Sequence, residues 1–173
     1  MENKMPTITS FEGARIIFTN FRGESHPKYN ARGARSFHIA LEDPELAQEL
    51  VEEGYSVRFP KPNAEIDPEK DRRVPSLEVT VSSDNDFIKP NVKIFLVDDE
   101  GSAVRINTNN LDQIDRLDTL SIGRCDVAIN PYRWTMDAGT PYETSGIKAY
   151  LTTIYINLDN FNDDPFADKY ETR

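Results

Sequence analysis

FEGARIIFTNF, residues 11–21, and GARSFHIAL, residues 33–41, are the stretches that set the fold class. Both are rich in β-branched and aromatic residues. In the second, Phe37, Ile39 and Leu41 recur at period two, the spacing that puts alternate side chains on one face of a strand. Between them RGESHPKYNAR carries the turn formers Gly23, Pro27 and Asn30, and it is the most basic loop of the chain. Working outward, PELAQELVEE (44–53) predicts an amphipathic helix. Pro44 follows Asp43 at its start, Leu46, Leu50 and Val51 share a face, and Gly54 stops it.

The strand pattern resumes over 55–60, and the polar, proline-punctuated KPNAEIDPEKDRRVP (61–75) predicts a mobile loop. Residues 77–81 alternate cleanly, and 92–97 form another apolar strand before the turn Asp98-Asp99-Glu100-Gly101, a pair that suggests a meander. Asp112, Asp115 and Asp118 interleave with Leu111, Ile114 and Leu117, as in a short helix with an acidic outer face. Two long strands, 123–136 and 146–158, close the domain. With no internal repeat and no βαβ rhythm, the order favours a closed antiparallel barrel or a sandwich over a doubly wound sheet.

A chain of 173 residues encloses one hydrophobic core without requiring a second domain. The expected organisation is an N-terminal arm (1–10), one folded domain (11–158) and an acidic flexible tail (159–173) with five acids, two bases and three aromatics. The apolar runs are too short to span a bilayer, and the first residues lack the features of a secretory signal, so a cytoplasmic location is expected. Cys125 is the only cysteine and only His26 and His38 accompany it, which excludes an intrachain disulfide and disfavours a zinc site.

The catalytic inventory is thin. Phosphate-loop, dinucleotide, zinc-protease and nucleophile-elbow motifs are absent, so neither an enzyme nor a cofactor is expected. Asp98, Asp99 and Glu100 resemble the carboxylates of a metal-dependent nuclease, but successive acids before a glycine more often form a solvated hairpin turn. Asp84-Asn85-Asp86 lacks the glycine and distal glutamate of a calcium loop. His38 alternates within a strand and reads as a structural histidine more readily than as a general base.

The net charge of −10 argues at first against a polyanionic partner. Its distribution matters more than its sum. Residues 1–40 hold six bases against three acids, whereas residues 41–60 hold six acids against one base. Basic and aromatic residues mix repeatedly near strand ends, as a surface for single-stranded nucleic acid requires: cations follow the backbone and aromatic faces stack on the bases. The first hairpin supplies Arg15, Arg22, Lys28, Tyr29, Arg32 and Arg35. Arg58 and Lys61 recur beside Tyr55 and Phe59, Tyr132 and Trp134 flank Arg133, and Lys148 precedes Tyr150. Trp134, the only tryptophan, reads either as core or as a stacking platform. Phe37 belongs to the first hairpin's cluster, and it and Phe18 read alternatively as core.

The motifs F-x-G-A-R-I-I-F-T-N-F at 11–21, Y-N-A-R-G-A-R-S-F before the second strand, L-x-x-x-G-Y after the helix, D-V-A-I-N-P-Y-R-W and G-I-K-A-Y-L together resemble a family of bacteriophage single-stranded DNA-binding proteins built on an OB-fold. The resemblance spans residues 11 to about 158. It implies a five-stranded barrel with extra elements, a DNA groove on one face, and a role in replication or recombination. The positions matching its polar, aromatic or glycine sites are Arg15, Asn30, Arg32, Gly33 and Arg35, with Tyr132, Trp134, Lys148 and Tyr150. Asp163-Asp164-Pro165-Phe166 is similar to the acidic, aromatic-tipped tail of bacterial single-strand binding proteins, which recruits replication partners, although here seven residues follow it.

The expected function is therefore sequence-tolerant binding and protection of single-stranded DNA, with replication or recombination proteins as tail partners and self-association into a homo-oligomer open. The rival reading is a β-sandwich structural or assembly protein of a phage particle, for which an acidic surface is natural.

Overall fold

The computed structural model describes residues 6–24, 34–83, 88–98, 100–109 and 111–158. Strand β1 (Ser10–Asn20) pairs antiparallel with β2 (Arg35–Ala40), Ile16 opposite Ile39 and Ile17 opposite His38. After helix α1 (Pro44–Glu53) and the short β3 (Val57–Arg58), β4 (Ser76–Val81) lies antiparallel along the other edge of β2. The hairpin of β5 (Lys93–Val97) and β6 (Ala103–Arg105) comes next, then the short helix α2 (Leu111–Asp115) and a 3₁₀ turn (Arg116–Thr119). The 15-residue strands β7 (Ile122–Met136) and β8 (Thr144–Leu158) end the described chain. β7 pairs with both β1 and β8, and β8 meets β4 through Val79–Ala149 and Thr80–Tyr150. The circuit β1, β2, β4, β8, β7 is thus a closed five-stranded barrel.

Two features differ from the sequence expectation. The seam between β4 and β8 is parallel, in an otherwise antiparallel barrel. The expected meander of β4 and β5 does not form. β5 instead runs parallel to the distal half of β8, where Ile94 faces Ile154, and its hairpin partner is the unanticipated β6. The turn 98–101 joins them, Asp98 Oδ1 accepting the backbone N–H groups of Glu100 and Ser102 at 2.9 Å each. Asp98 is thereby a turn residue. Asp99 and the 84–86 stretch lie outside the described residues.

Alternation fills the interior. Phe37 and Ile39 of β2, Leu77, Val79 and Val81 of β4, and Ile147, Ala149 and Leu151 of β8 are buried, while the residues between them face outward. Extra residues reset this period where the barrel bends. In β1, Phe11 and Ala14 oppose Val127 and Cys125, so one more residue is accommodated around Gly13, which takes the left-handed φ of 61°. A second irregularity, between Ile17 and Asn20, puts Phe18 at φ 50° and leaves it 67 % exposed, which rules out the core alternative for it. Phe37 does belong to the core. Cys125 is buried, and burial pushes its thiol up to about 12.

α1 begins and ends as its sequence predicts. Asp43 Oδ1 accepts the N–H of Glu45 at 3.0 Å, Pro44 opens the first turn, and Gly54 adopts φ 106°. The N–H groups of Gly54 and Tyr55 return to the carbonyls of Val51 and Leu50, both at 3.0 Å, satisfying two terminal acceptors. The buried face is Ala47 and Leu50. Val51, expected there, is 40 % exposed. Tyr55 is core: its hydroxyl donates to the Ile8 carbonyl at 2.7 Å, and burial, the larger cause, raises its pKa to about 12.

Two aspartates of the acidic outer face expected around α2 are engaged by the first hairpin. Asp118 Oδ1 and Oδ2 accept the backbone N–H groups of Phe21 and Arg22, each at 2.9 Å, and Asp115 holds the Arg35 guanidinium at 2.9 Å. These carboxylates pin the base of the first hairpin over buried Ile114, Leu117 and Phe21. Replacing Asp118 by alanine leaves the part-buried Phe21 N–H without its partner, and it should lower unfolding stability by about 1–3 kcal/mol, measured by urea denaturation.

Candidate nucleic-acid interface

The outward residues of the barrel form rows across the strands. Ile17 of β1 stands opposite His38 of β2, and His38 opposite Glu78 of β4. Across the seam, Lys148 precedes the Ala149 that pairs with Val79, and Lys148 itself pairs with Tyr132 of β7. The adjoining row runs Ser36, Thr80, Tyr150, Asn130. One face of the barrel thus carries a tract from Ile17 to Tyr132.

Two adjoining depressions follow this tract. The larger, about 780 Å³, lies where β1 and β3 meet the 61–75 loop, and its walls include Arg15, Phe18, Arg58, Phe59 and Lys61, with Arg72 and Arg73 from the loop. The smaller, about 440 Å³, is lined by His38, Glu78, Trp134 and Lys148 and shares Arg58 with the first. The walls of the larger depression hold five cationic side chains and no carboxylate. A chain with net charge −10 therefore presents a locally positive groove.

Two of those cations are held by acids set back from the walls. Arg15 Nε lies 2.8 Å from Glu42, whose other oxygen is 3.4 Å from Arg124. The Arg15 hydrogen bond is the main cause that keeps the Glu42 carboxyl below its usual value. Arg73 binds Asp71 through two nitrogens at 3.0 and 2.8 Å, bringing that carboxyl down to about 2. Arg58, Lys61 and Arg72 make no ion pair among the described residues.

The aromatics are placed for contact. Trp134 is half-buried on the outer face, its ring laid so closely on Gly146 that a Cβ there would meet the indole at 2.7 Å. Tyr132, 59 % exposed, meets Tyr150 edge-on with centroids 6.2 Å apart, and Lys148 Nζ stands 5.2 Å from the Tyr150 ring centre. Phe18 packs edge-on to His38 at 5.4 Å. His38 is 5 % exposed, with Nδ1 2.9 Å from Ser76 Oγ and Nε2 3.5 Å from Glu78 Oε2. Ser76 is buried beside it, so the serine joins His38 of β2 to β4.

Of the residues expected at the site, Arg15, Arg58, Lys61, Tyr132, Trp134, Lys148 and Tyr150 share this face. Arg35 turns to the other end of the hairpin, its guanidinium donating to Asp115 and to the Phe21 carbonyl, and Arg22 is exposed beside it. Lys28, Tyr29 and Arg32 lie outside the described residues. Phe59, expected beside Arg58 and Lys61, borders the groove too, and so do Phe18, Arg72 and Arg73, which lie beyond the expected contacts. The Arg72-Arg73 doublet was a legible signal, whereas the exposure of Phe18 depends on an irregular β1 register. Among the described residues no group of three potential ligands could hold a metal ion, and no helix is long and apolar enough to cross a membrane.

A closed five-stranded barrel with a basic groove and aromatic side chains across one face defines a nucleic-acid-binding barrel. The family model described as "Putative phage ssDNA-binding domain" matches residues 3–172, and the chain belongs to that family, which consists of binders and not of enzymes. No curated protein matches the sequence. Among solved structures, a C-terminal truncation of the single-stranded DNA-binding protein from bacteriophage Enc34 is similar at a TM-score of 0.50 and 10 % identity, covering 87 % of this chain and 85 % of that one. The same phage protein in complex with ssDNA gives 0.47 and 11 %, covering 87 % and 86 %. The single-stranded DNA binding protein gp2.5 of bacteriophage T7 gives 0.37 and 15 %, covering 96 % and 95 %. The first of these supports the OB-like barrel fold.

The contact of Trp134 with Gly146 is directly testable, because Trp134 is the sole tryptophan. Gly146→Ala forces the indole off the strand. Its emission should shift to longer wavelength, with a stability loss of about 1–3 kcal/mol from overpacking.

Proposed function

We propose that the chain binds and protects single-stranded DNA through the face that runs from Arg15 and Phe18 past Arg58 to Trp134, Lys148 and Tyr132. The observation that carries this reading is the joining of the cation-walled groove to the aromatic row by Arg58, which lines both depressions. In it Arg15, Arg58, Lys61 and Lys148 contact phosphates, and Trp134, Tyr132 and Tyr150 offer stacking faces. Stacking needs only a π-face, which every base has, so binding is largely tolerant of sequence. Lys28, Tyr29, Arg32 and Arg22 belong to the same proposal as a hairpin extension of the phosphate contacts, and Arg35 as a support for that hairpin.

This activity serves phage DNA replication or recombination in the host cytoplasm. Residues 11–158 form the binding domain behind the 1–10 arm. The acidic segment 159–173, which lies outside the described residues, recruits replication or recombination proteins. Self-association has a candidate edge in β6, whose outer side is unpaired among the described strands. The phage-particle reading rested on net charge, and the segregation of cations into one groove supports the DNA reading against it.

Fluorescence anisotropy with labelled dT oligomers and duplex controls tests the proposal. Single strands should bind in preference to duplex, and log affinity should fall with log salt by about 0.7 per phosphate neutralised. Arg58→Ala with Lys61→Ala should flatten that slope by roughly 0.7 for each contact removed; an unchanged slope would take the groove out of the site. Trp134→Ala should weaken binding by about 1–3 kcal/mol with little change in melting temperature. A core residue would behave oppositely, losing roughly 3–5 kcal/mol of stability.

A further inference from the structure

The recess beside Trp134 contains a group that a surface built only for phosphate would exclude. Glu78 stands on the outer face of β4 with its side chain 51 % exposed. The hydrogen bond from His38 is the largest influence on it and, with the fields of His38, Arg58 and Lys148, outweighs partial burial to hold its carboxyl below the usual value. It is therefore an anion at neutral pH. His38 approaches Oε2 at 3.5 Å, and Oε1 accepts no hydrogen bond among the described residues. A carboxylate has about four lone-pair sites, so most of the acceptor capacity of Glu78 is unused. Beside a DNA backbone such an anion repels phosphate. N–H donors brought to it would offset that repulsion.

Nucleobases carry those donors. Trp134 and Glu78 line the same recess of about 440 Å³, with Lys148 beside them for the adjoining phosphate. Because the indole and Glu78 border one recess, a base stacked on Trp134 there could present its Watson–Crick edge to Glu78. Guanine alone presents two adjacent donors there, N1–H and the N2 amino group, which match the two carboxylate oxygens. Thymine presents one N–H between two carbonyls, which a carboxylate repels. Cytosine and adenine set an amino group beside an acceptor nitrogen and reach one oxygen at most. We propose that the recess between Trp134 and Glu78 is a nucleobase subsite that selects guanine at one position of an otherwise sequence-tolerant DNA track. The inference rests on the reading that this face binds single-stranded DNA.

The test compares oligomers of about 12 nucleotides, within the span of an OB-type site: all dT, dT with one central dG, and dT with one central deoxyinosine, which lacks the N2 amino group. Wild type should bind the dG oligomer at least about fivefold more tightly than all dT, the lower end for a bidentate base contact, and deoxyinosine should lose most of that gain. Glu78→Gln, close in shape, should bind all dT at least as tightly as wild type and show no dG preference, with a melting curve confirming that it folds. Equal affinity of wild type for all three oligomers overturns the subsite, and so does a dG preference that survives in Glu78→Gln. If the variant does not fold, the deoxyinosine comparison on wild type still decides. Failure to bind any oligomer overturns the DNA reading itself, a result distinct from binding without preference.

Discussion

Strand β8 is hydrogen-bonded along both of its edges. β7 accompanies it from Ile122–Leu158 to Met136–Thr144, while β4 and then β5 occupy its other side. An exposed edge would leave a row of unpaired backbone groups in the middle of the sheet, and closure removes it. The period of the same strand divides two duties between its faces. Ile147, Ala149 and Leu151 enter the core, and Lys148 and Tyr150 stand on the outer face proposed to bind DNA. An irregularity in the pairing near Ala128 and Ile129 then lets Ile154 and Ile156 return to the interior where β5 replaces β4. Core and site are two faces of one strand, so a change of register would lose both.

The elements were largely legible because their signals are local. Alternation in β2 and β4, the Asp43-Pro44 start of α1 and the Gly54 stop all act within a few residues. What escaped was non-local or too short to carry a period. Ala103–Arg105 is three exposed residues with no alternation, and only its pairing with β5 makes it a strand. The parallel seam joins Val79 to Ala149, some 70 residues apart, and no pattern in either segment announces it. Asp118 read as part of an acidic outer face because its partners are the backbone N–H groups of Phe21 and Arg22, nearly a hundred residues earlier.

Site legibility followed the same division. Residue types were readable in clusters: Arg58 with Lys61, Tyr132 with Trp134, Lys148 with Tyr150. Their convergence was not, since it depends on β3, β7 and β8 meeting around β4. The arginines of the first hairpin show the limit of composition. Arg15 faces the groove, whereas Arg35 is consumed by Asp115. Net charge misled for a related reason: acids such as Glu42 and Asp71 sit behind the groove, orienting Arg15 and Arg73.

The parallel seam has a thermodynamic consequence. It rests on a short ladder around Val79–Ala149 and Thr80–Tyr150, and it is the one parallel pairing in the barrel circuit. Local opening in proteins favours such lightly bonded junctions over continuous ladders. The outer face of the seam is also the middle of the tract proposed to bind DNA, with Glu78 on one side and Lys148 on the other. A ligand lying across it binds the closed barrel and not the parted one, so occupancy raises the free energy of opening by RT ln(1 + [L]/Kd). The backbone amides along this short stretch of β4 and β8 are thus built-in reporters, whose hydrogen exchange slows as the face fills.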